Sequence, residues 1–304
     1  MIHVLAQMVV LIAAGVVWRF VAPAGLDVER TRRTLTGLVY DVFLPALVLL
    51  VLWRAPLGLE SARISLVAAS GVLAAMVASV LVCRVCGARR AASGALILAA
   101  SFPNATYLGL PVLEASFGSW ARSVAIQYDL FACTPLLLTV GMMVARRYGE
   151  GGIPVHPLQA LLRIPALWAA ALAVVLNLAA VPLHPIVAGS LNLMAGAVVP
   201  LMLLALGMSL RWDVLASRRM PLLLPVLLIQ LLLMPLLAWA VAHGVGLGGD
   251  TFKAVVLEAA MPSMLLGVVI CDRFRLDTGL YAAAVTLSTV SSLATLPLWF
   301  SLLA

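Results

Sequence analysis

The sequence predicts an all-α integral membrane protein of ten transmembrane helices. It predicts two inverted five-helix repeats, with helices 4 and 9 broken where they cross. Three observations carry this expectation. The 304 residues are 64% hydrophobic and only 10% charged, against about 45–50% and about 25% in a soluble domain. The apolar residues fall into ten segments, at roughly 1–22, 35–53, 64–83, 91–118, 121–145, 158–181, 186–210, 220–243, 251–271 and 279–303. Each is near the ~20 residues that a spanning helix needs. The basic residues, finally, collect after every second segment. The composition excludes a soluble globular chain, a disordered chain and an anchor attached to a soluble domain. The segments do not alternate polar with apolar residues as barrel strands do. A helix, which satisfies its own backbone in lipid, is therefore the expected element.

The first segment lacks the basic start of a signal peptide. His3 is its only titratable side chain before Arg19, which fits a retained helix. The second segment carries Asp41 shortly before Pro45. The third ends in Cys83-x-x-Cys86; with no second ligand pair, these read as small apolar residues at a helix end. The fourth contains Ser101-Phe-Pro-Asn-Ala-Thr-Tyr-Leu-Gly-Leu-Pro111, and the fifth Gln127-Tyr128-Asp129 and Thr134. Asn177, Asn192 and Gln230 in the sixth to eighth read as links between helices. The ninth contains Glu258-Ala-Ala-Met-Pro-Ser-Met-Leu-Leu-Gly267.

Of the 19 basic residues, 15 follow odd-numbered segments: Arg19, Arg30, Arg32 and Arg33; Arg84, Arg89 and Arg90; Arg146, Arg147 and Arg163; Arg211, Arg218 and Arg219; Arg273 and Arg275. The other loops hold Arg54, Arg63, Arg122 and Lys253. The positive-inside rule puts the arginine-rich loops in the cytoplasm and both termini on the non-cytoplasmic side. The plasma (inner) membrane is the expected location. The net charge of +7 is thereby a topology signal, and no nucleic-acid partner is expected.

Proline spacing suggests the repeat. Pro23 and Pro182 are 159 residues apart, as are Pro103 and Pro262, while Pro45 and Pro200 are 155 apart. The halves would be about 1–150 and 155–304 of a single transmembrane unit. An odd number of spans per half inverts the second half, which is a transporter architecture. Proline removes a helical hydrogen bond, and backbone exposed at bilayer depth must line a cavity or be buried in protein. Paired breaks at Pro103 and Pro262 thus predict discontinuous helices meeting near the midplane. Their second halves would begin near Asn104 and Ser263, with positive ends that attract an anion.

Acids inside spans are costly and functional by default. The candidates are Glu258, Asp129, Asp41 and Glu114. At 1.5 Å per residue, Asn104 is level with Thr134, so Asn104, Thr134 and Glu258 are expected to share a layer, with Asp129 somewhat outside it. Such oxygens could hold Na⁺, or Glu258 or Asp129 could carry a proton; a structural acid is the alternative for each. Asp41 reads as structural or interfacial and Glu114 as wetted. The chain is not expected to be an enzyme and needs no cofactor beyond a coupling Na⁺ or H⁺. His3, His156, His184 and His243 lie at span ends or in loops, and there is no H-E-x-x-H or P-loop. Gly207-Met-Ser209 lacks a histidine to activate its serine.

The chain resembles the auxin efflux carrier family of permeases along essentially its whole length. The resemblance rests on Phe43-Leu-Pro-Ala-Leu47, Pro103-Asn104 with Gly109-Leu-Pro111, Leu206-Gly-Met-Ser-Leu210, Ala259-Ala-Met-Pro262, and Ser288-Thr-Val-Ser-Ser292 before Pro297. It implies a fold like that of the bile acid:sodium symporters. Helices 1, 2, 6 and 7 would form a scaffold, through which a homodimer could form. Helices 3–5 and 8–10 would form the moving transport domain. In the symporters a glutamate before the second break and an asparagine at the first bind Na⁺; Glu258 and Asn104 stand in similar places. Pro262-Ser263 replaces a glutamine and asparagine there. Bacterial members of the family are often described as malonate or malate permeases.

The expectation is a secondary active transporter in the lipid bilayer, moving a small organic anion, auxin- or dicarboxylate-like, by an ion-coupled elevator. Substrate would meet Ser101, Pro103, Asn104, Tyr107, Pro262, Ser263 and Met264. Coupling would use Glu258, Asp129, Asn104 and Thr134. The rivals are an uncoupled uniporter or channel for an organic acid and a non-transporting membrane sensor.

Overall fold

Helices account for nearly all of the computed structural model, which describes residues 2–22, 25–150, 157–210 and 220–303. Pro23, His156, Arg211, Arg218 and Arg219 lie outside the described residues, as does the side chain of His3. In chain order the helices are α1 (Ile2–Val21), α2 (Val28–Arg54), α3 (Leu59–Val85), α4 (Arg90–Ser101), α5 (105–117), α6 (Ala121–Tyr148), α7 (Pro157–Leu162), α8 (Pro165–Leu178), α9 (Pro185–Ser209), α10 (Leu224–Gly244), α11 (Gly249–Ala259), α12 (Gly267–Arg273) and α13 (Thr278–Leu303). Among the described residues there is no β-strand, only one isolated bridge. Six of the described helices, α2, α3, α6, α9, α10 and α13, are long and apolar enough to cross a membrane. Shorter apolar stretches lie in α1, α4 and α8. The chain is a multi-pass membrane protein.

Two boundaries differ from the sequence reading. The second span begins at Val28 rather than near residue 35, because its polar start is stabilised locally. Asp27 caps it, accepting the Arg30 N–H at 2.6 Å, and Glu29 pairs with Arg32 and Arg33. Segments 91–118 and 251–271 are each two helices separated by non-helical residues. The breaks are unequal. Helix resumes directly at Ala105 after the first, but only at Gly267, not near Ser263, after the second.

Prolines also shape unbroken helices. Five widened π turns occur among the described residues, and those at Val39–Phe43, Ala105–Gly109, Asp129–Cys133 and Ile229–Leu233 are each followed by a proline, Pro45, Pro111, Pro135 or Pro235. A proline ring clashes with the carbonyl four residues earlier, and a wider turn relieves that clash without ending the helix. Pro200, by contrast, sits inside the plain helix α9.

The helices pack in two groups. α1 lies on α9, and α2 lies on α8 and α9. Gly15 and Gly207 face each other there so closely that a Cβ on Gly15 would lie 3.0 Å from the Gly207 Cα and overlap the Leu204 carbonyl. Asn177 Nδ2 lies 2.8–3.1 Å from the carbonyls of Leu52, Trp53 and Ala55, joining the ends of α8 and α2. In the second group α3 packs on α4 and α10, α11 on α10 and α6, and α13 on α4 and α12. Of the three amides expected to link helices, Asn177 does so, Gln230 reaches Met261, and Asn192 bonds within its own helix to Ala188.

Candidate functional site

The two breaks hold each other. Asn104 N–H donates to the Pro262 carbonyl at 2.7 Å, and Met264 N–H donates to the Phe102 carbonyl at 2.9 Å. Pro103 and Ser263 thereby form an antiparallel bridge. Buried backbone groups need partners, and the breaks find more of them on neighbouring helices. Ser263 N–H donates to Ser288 Oγ at 3.1 Å, Tyr281 O–H to the Met264 carbonyl at 2.8 Å, and Gln230 Nε2 to the Met261 carbonyl at 2.9 Å. α10 and α13 therefore fix the second break. A Cβ on Gly267 would overlap the Tyr281 ring, so the chain leaves the break pressed onto that tyrosine.

Beside the clasp is a cavity of about 160 Å³. Its polar lining is Tyr40, Asn104, Thr106, Tyr107, Asp129, Thr134 and Arg163, with Met264, Ile164, leucines and alanines completing the wall. The π turns at Ala105–Gly109 and Asp129–Cys133 present Thr106, Tyr107 and Asp129 to it. The Asp129 carboxylate, buried, accepts hydrogen bonds from the hydroxyls of Thr106 and Thr134, the latter at 2.9 Å. α5 begins at this cavity, and the first N–H groups of a helix have no intrahelical acceptor. Arg163 is exposed.

Of the residues expected at the site, Asn104, Tyr107, Met264, Asp129 and Thr134 line the cavity. Pro103, Pro262 and Ser263 are buried in the clasp and do not line it. Ser101 is fully buried and donates its hydroxyl to Ile97 of its own helix at 2.7 Å. Glu258 is apart from the cavity. Asn104 and Thr134 thus line the cavity without Glu258, and Thr134 donates to Asp129.

Glu258 is fully buried, and a Cβ on Gly109 would overlap its carboxylate. Among the described residues neither of its oxygens has a hydrogen-bond partner. Other buried polar atoms without one include Asn104 Nδ2, Ser263 Oγ, Gln127 Oε1, Tyr128 Oη, Gln230 Oε1 and Thr289 Oγ1. Such atoms are rare in folded proteins, and each calls for a reason. Asp41 is exposed, and Glu114 pairs with Arg122 across the turn from α5 to α6, so neither acid joins the cavity. Among the described residues no three of His, Cys, Asp and Glu are grouped to hold a metal ion.

Sequence reasoning misses Tyr40, Thr106 and Arg163 in the lining, and Tyr281 and Ser288 behind the break. Thr106 stands in the run from Ser101 to Pro111 and Ser288 opens Ser288-Thr-Val-Ser-Ser292, so both lie within stretches that the sequence marks. Arg163 reads from the sequence only as a topology charge.

Comparison with known proteins identifies the family. The family described as "Membrane transport protein" matches residues 1–300. A protein of Methanothermobacter thermautotrophicus named as an uncharacterized transporter is 31% identical over 297 residues, covering 96% of this chain and 95% of its own. The uncharacterized transporter MJ1031 of Methanocaldococcus jannaschii is 27% identical, over 68% of this chain and 67% of its own. The uncharacterized transporter YfdV of Escherichia coli K12 is 25% identical, over 66% and 65%. The match across nearly the whole length places this chain in the membrane transport protein family, that of the auxin efflux carriers.

Proposed function

We propose that this protein is a secondary active transporter of small organic anions, of the monocarboxylate or dicarboxylate class, coupled to a cation. The observation that carries the reading is the clasp of two helix breaks beside a polar cavity where α5 begins. The start of a helix favours an anion through its free N–H groups and its dipole. Asn104, Thr106 and Tyr107 offer polar contacts there, and Arg163 supplies a cation at the lining. The second break contributes backbone to the clasp rather than a helix start, because α12 begins only at Gly267.

Asp129 lines the same cavity, and a charged Asp129 repels a bound carboxylate. Binding of the anion is therefore linked to a cation that neutralises this acid. Glu258, with no donor on either oxygen among the described residues, suits a carrier of a proton better than a permanent charge, since an isolated buried carboxylate is very costly. We assign the coupling to a proton carried by these acids, with Na⁺ as the competing cation. The packing into two groups supports an elevator in which α1, α2, α8 and α9 stay fixed. α3–α6 and α10–α13 would then move with the clasp. Ten spans, inverted halves, a homodimer through the fixed helices and both termini outside the plasma membrane belong to the same proposal.

The test is accumulation of radiolabelled malonate and indole-3-acetate in proteoliposomes under a pH gradient, a Na⁺ gradient, or neither. Uphill accumulation driven by pH, abolished in Glu258→Gln, is the expected result. Dependence on Na⁺ alone would move the coupling to sodium. Equilibration without accumulation would make the protein a uniporter, and no flux of either probe would remove the anion reading.

A further inference from the structure

A second cavity, about 360 Å³, lies on the other side of the segment that follows the second break. Arg19 at the end of α1, Glu29 and Arg32 at the start of α2, Ser209 at the end of α9, and Thr278 at the start of α13 line it, and so does Leu265. Leu265 also lines the cavity at Asp129. One residue therefore lines both cavities. The wall is fixed from behind by the bond from Tyr281 O–H to the Met264 carbonyl, 2.8 Å.

The charge of this second cavity is unbalanced. Glu29 takes two bonds from Arg32, at 2.5 and 3.1 Å, and also pairs with Arg33 at 2.9 Å. Arg19 has no carboxylate partner among the described residues; its Nη1 donates to the Met208 carbonyl at 2.9 Å, and the side chain is half-buried. Two guanidinium groups thus line the cleft with one carboxylate, which Arg32 and Arg33 already share. Low-dielectric walls focus such a field onto mobile anions, and a guanidinium fork fits a carboxylate.

We infer that this cavity is an anion-binding vestibule, in which Arg19 holds a small carboxylate before it passes Leu265 to the cavity at Asp129. The identity of the anion rests on the transport reading above; the vestibule itself does not.

Ser209 gives a mild reporter position, since its hydroxyl only bonds Ala205 in its own helix at 2.7 Å. The full chain carrying Ser209→Cys and Cys86→Ala is reconstituted in phosphatidylcholine nanodiscs; the other cysteines are buried. It is then labelled with a sulfonate-bearing and a trimethylammonium-bearing methanethiosulfonate. After correction for reactivity with free thiol, the anionic reagent should react about tenfold faster, the lower end of field-focused enhancement. Arg19→Gln should erase that preference, Arg19→Lys should keep it, and malonate should slow the anionic reagent. Equal rates in the parent, or a preference unchanged by Arg19→Gln, would overturn the vestibule. So would loss of the preference when phosphatidylglycerol is included, which would make this a lipid headgroup site. Labelling needs no transport, so a preserved charge preference with no flux of either malonate or indole-3-acetate leaves the vestibule standing and removes the anion-transport reading.

Discussion

Gly109 and Glu258 meet with no space between them, and that contact sets the first expectation. Adding a methyl group at Gly109 must displace the carboxylate, and overpacking of this kind costs about 1–3 kcal/mol. Gly109→Ala should lower the melting temperature and abolish coupled transport, while the double variant with Glu258→Ala should recover stability but not coupling. Thermal unfolding of both variants in detergent measures this; failure of the double variant to regain stability would place the strain elsewhere. Thr134→Val removes one of two donors to Asp129. A hydrogen bond to a charged group contributes about 1.5–3 kcal/mol, so this variant should shift the pH dependence of anion uptake, whereas Thr139→Val should not. Thr139 bonds only Pro135 and Leu136 of its own helix. Much of this was legible from residue types alone. An acid within a span announces a function, and Asp129 and Glu258 stand out for that reason. What the sequence conceals is which side each faces. A π turn holds more residues than an α turn, so it rotates every later side chain about the axis, and hydropathy carries no trace of that rotation.

At the level of elements, the close approach of α1 and α9 at Gly15 and Gly207 is the clearest point of failure. Membrane helices associate through small residues that let backbones touch. Gly207→Leu should separate α1 from α9 and reduce folded yield, read as a monodisperse peak in fluorescence-detected size exclusion. Gly189→Leu, where a Cβ meets nothing, should leave the peak unchanged. Asn177→Leu should free the ends of α2 and α8, lowering the melting temperature by the loss of part-buried hydrogen bonds from its two N–H groups, each worth about 0.5–1.5 kcal/mol. The breaks themselves were legible, because proline, asparagine and glycine gathered at bilayer depth seldom leave a helix whole. The unequal restart of helix after them was not. It depends on Tyr281 and Ser288, which lie far along the chain and hold residues 261–264 in place. No local propensity could have placed the restart at Gly267.

For the whole molecule, the division into two packed groups makes a distance prediction. If the clasp travels with α3–α6 and α10–α13, a crosslink between α2 and α6 should stop uptake, while one within α1 and α9 should not. Paired cysteines at Leu44 and Leu137, which line the same cavity from those two helices, with Cys86 replaced, provide the first case. Paired cysteines at Gly15 and Gly207 would perturb packing, so Ile12 and Met208 serve for the second. Uptake surviving the first crosslink would rule out rigid motion of the two groups against each other. The overall class was the most legible level of all, since composition alone requires lipid. The expected division into fixed and moving helices came only from family resemblance, because apolar residues face protein and lipid alike and leave no periodic signature.

The clasp between Asn104 and Pro262 and between Met264 and Phe102 joins main chain to main chain. It is therefore indifferent to the side chains those residues carry. Mutation can redecorate the cavity around Tyr107 and Met264 without unfastening the frame that holds it. One scaffold can in this way drift from one cargo to another by small steps, each leaving a folded protein behind.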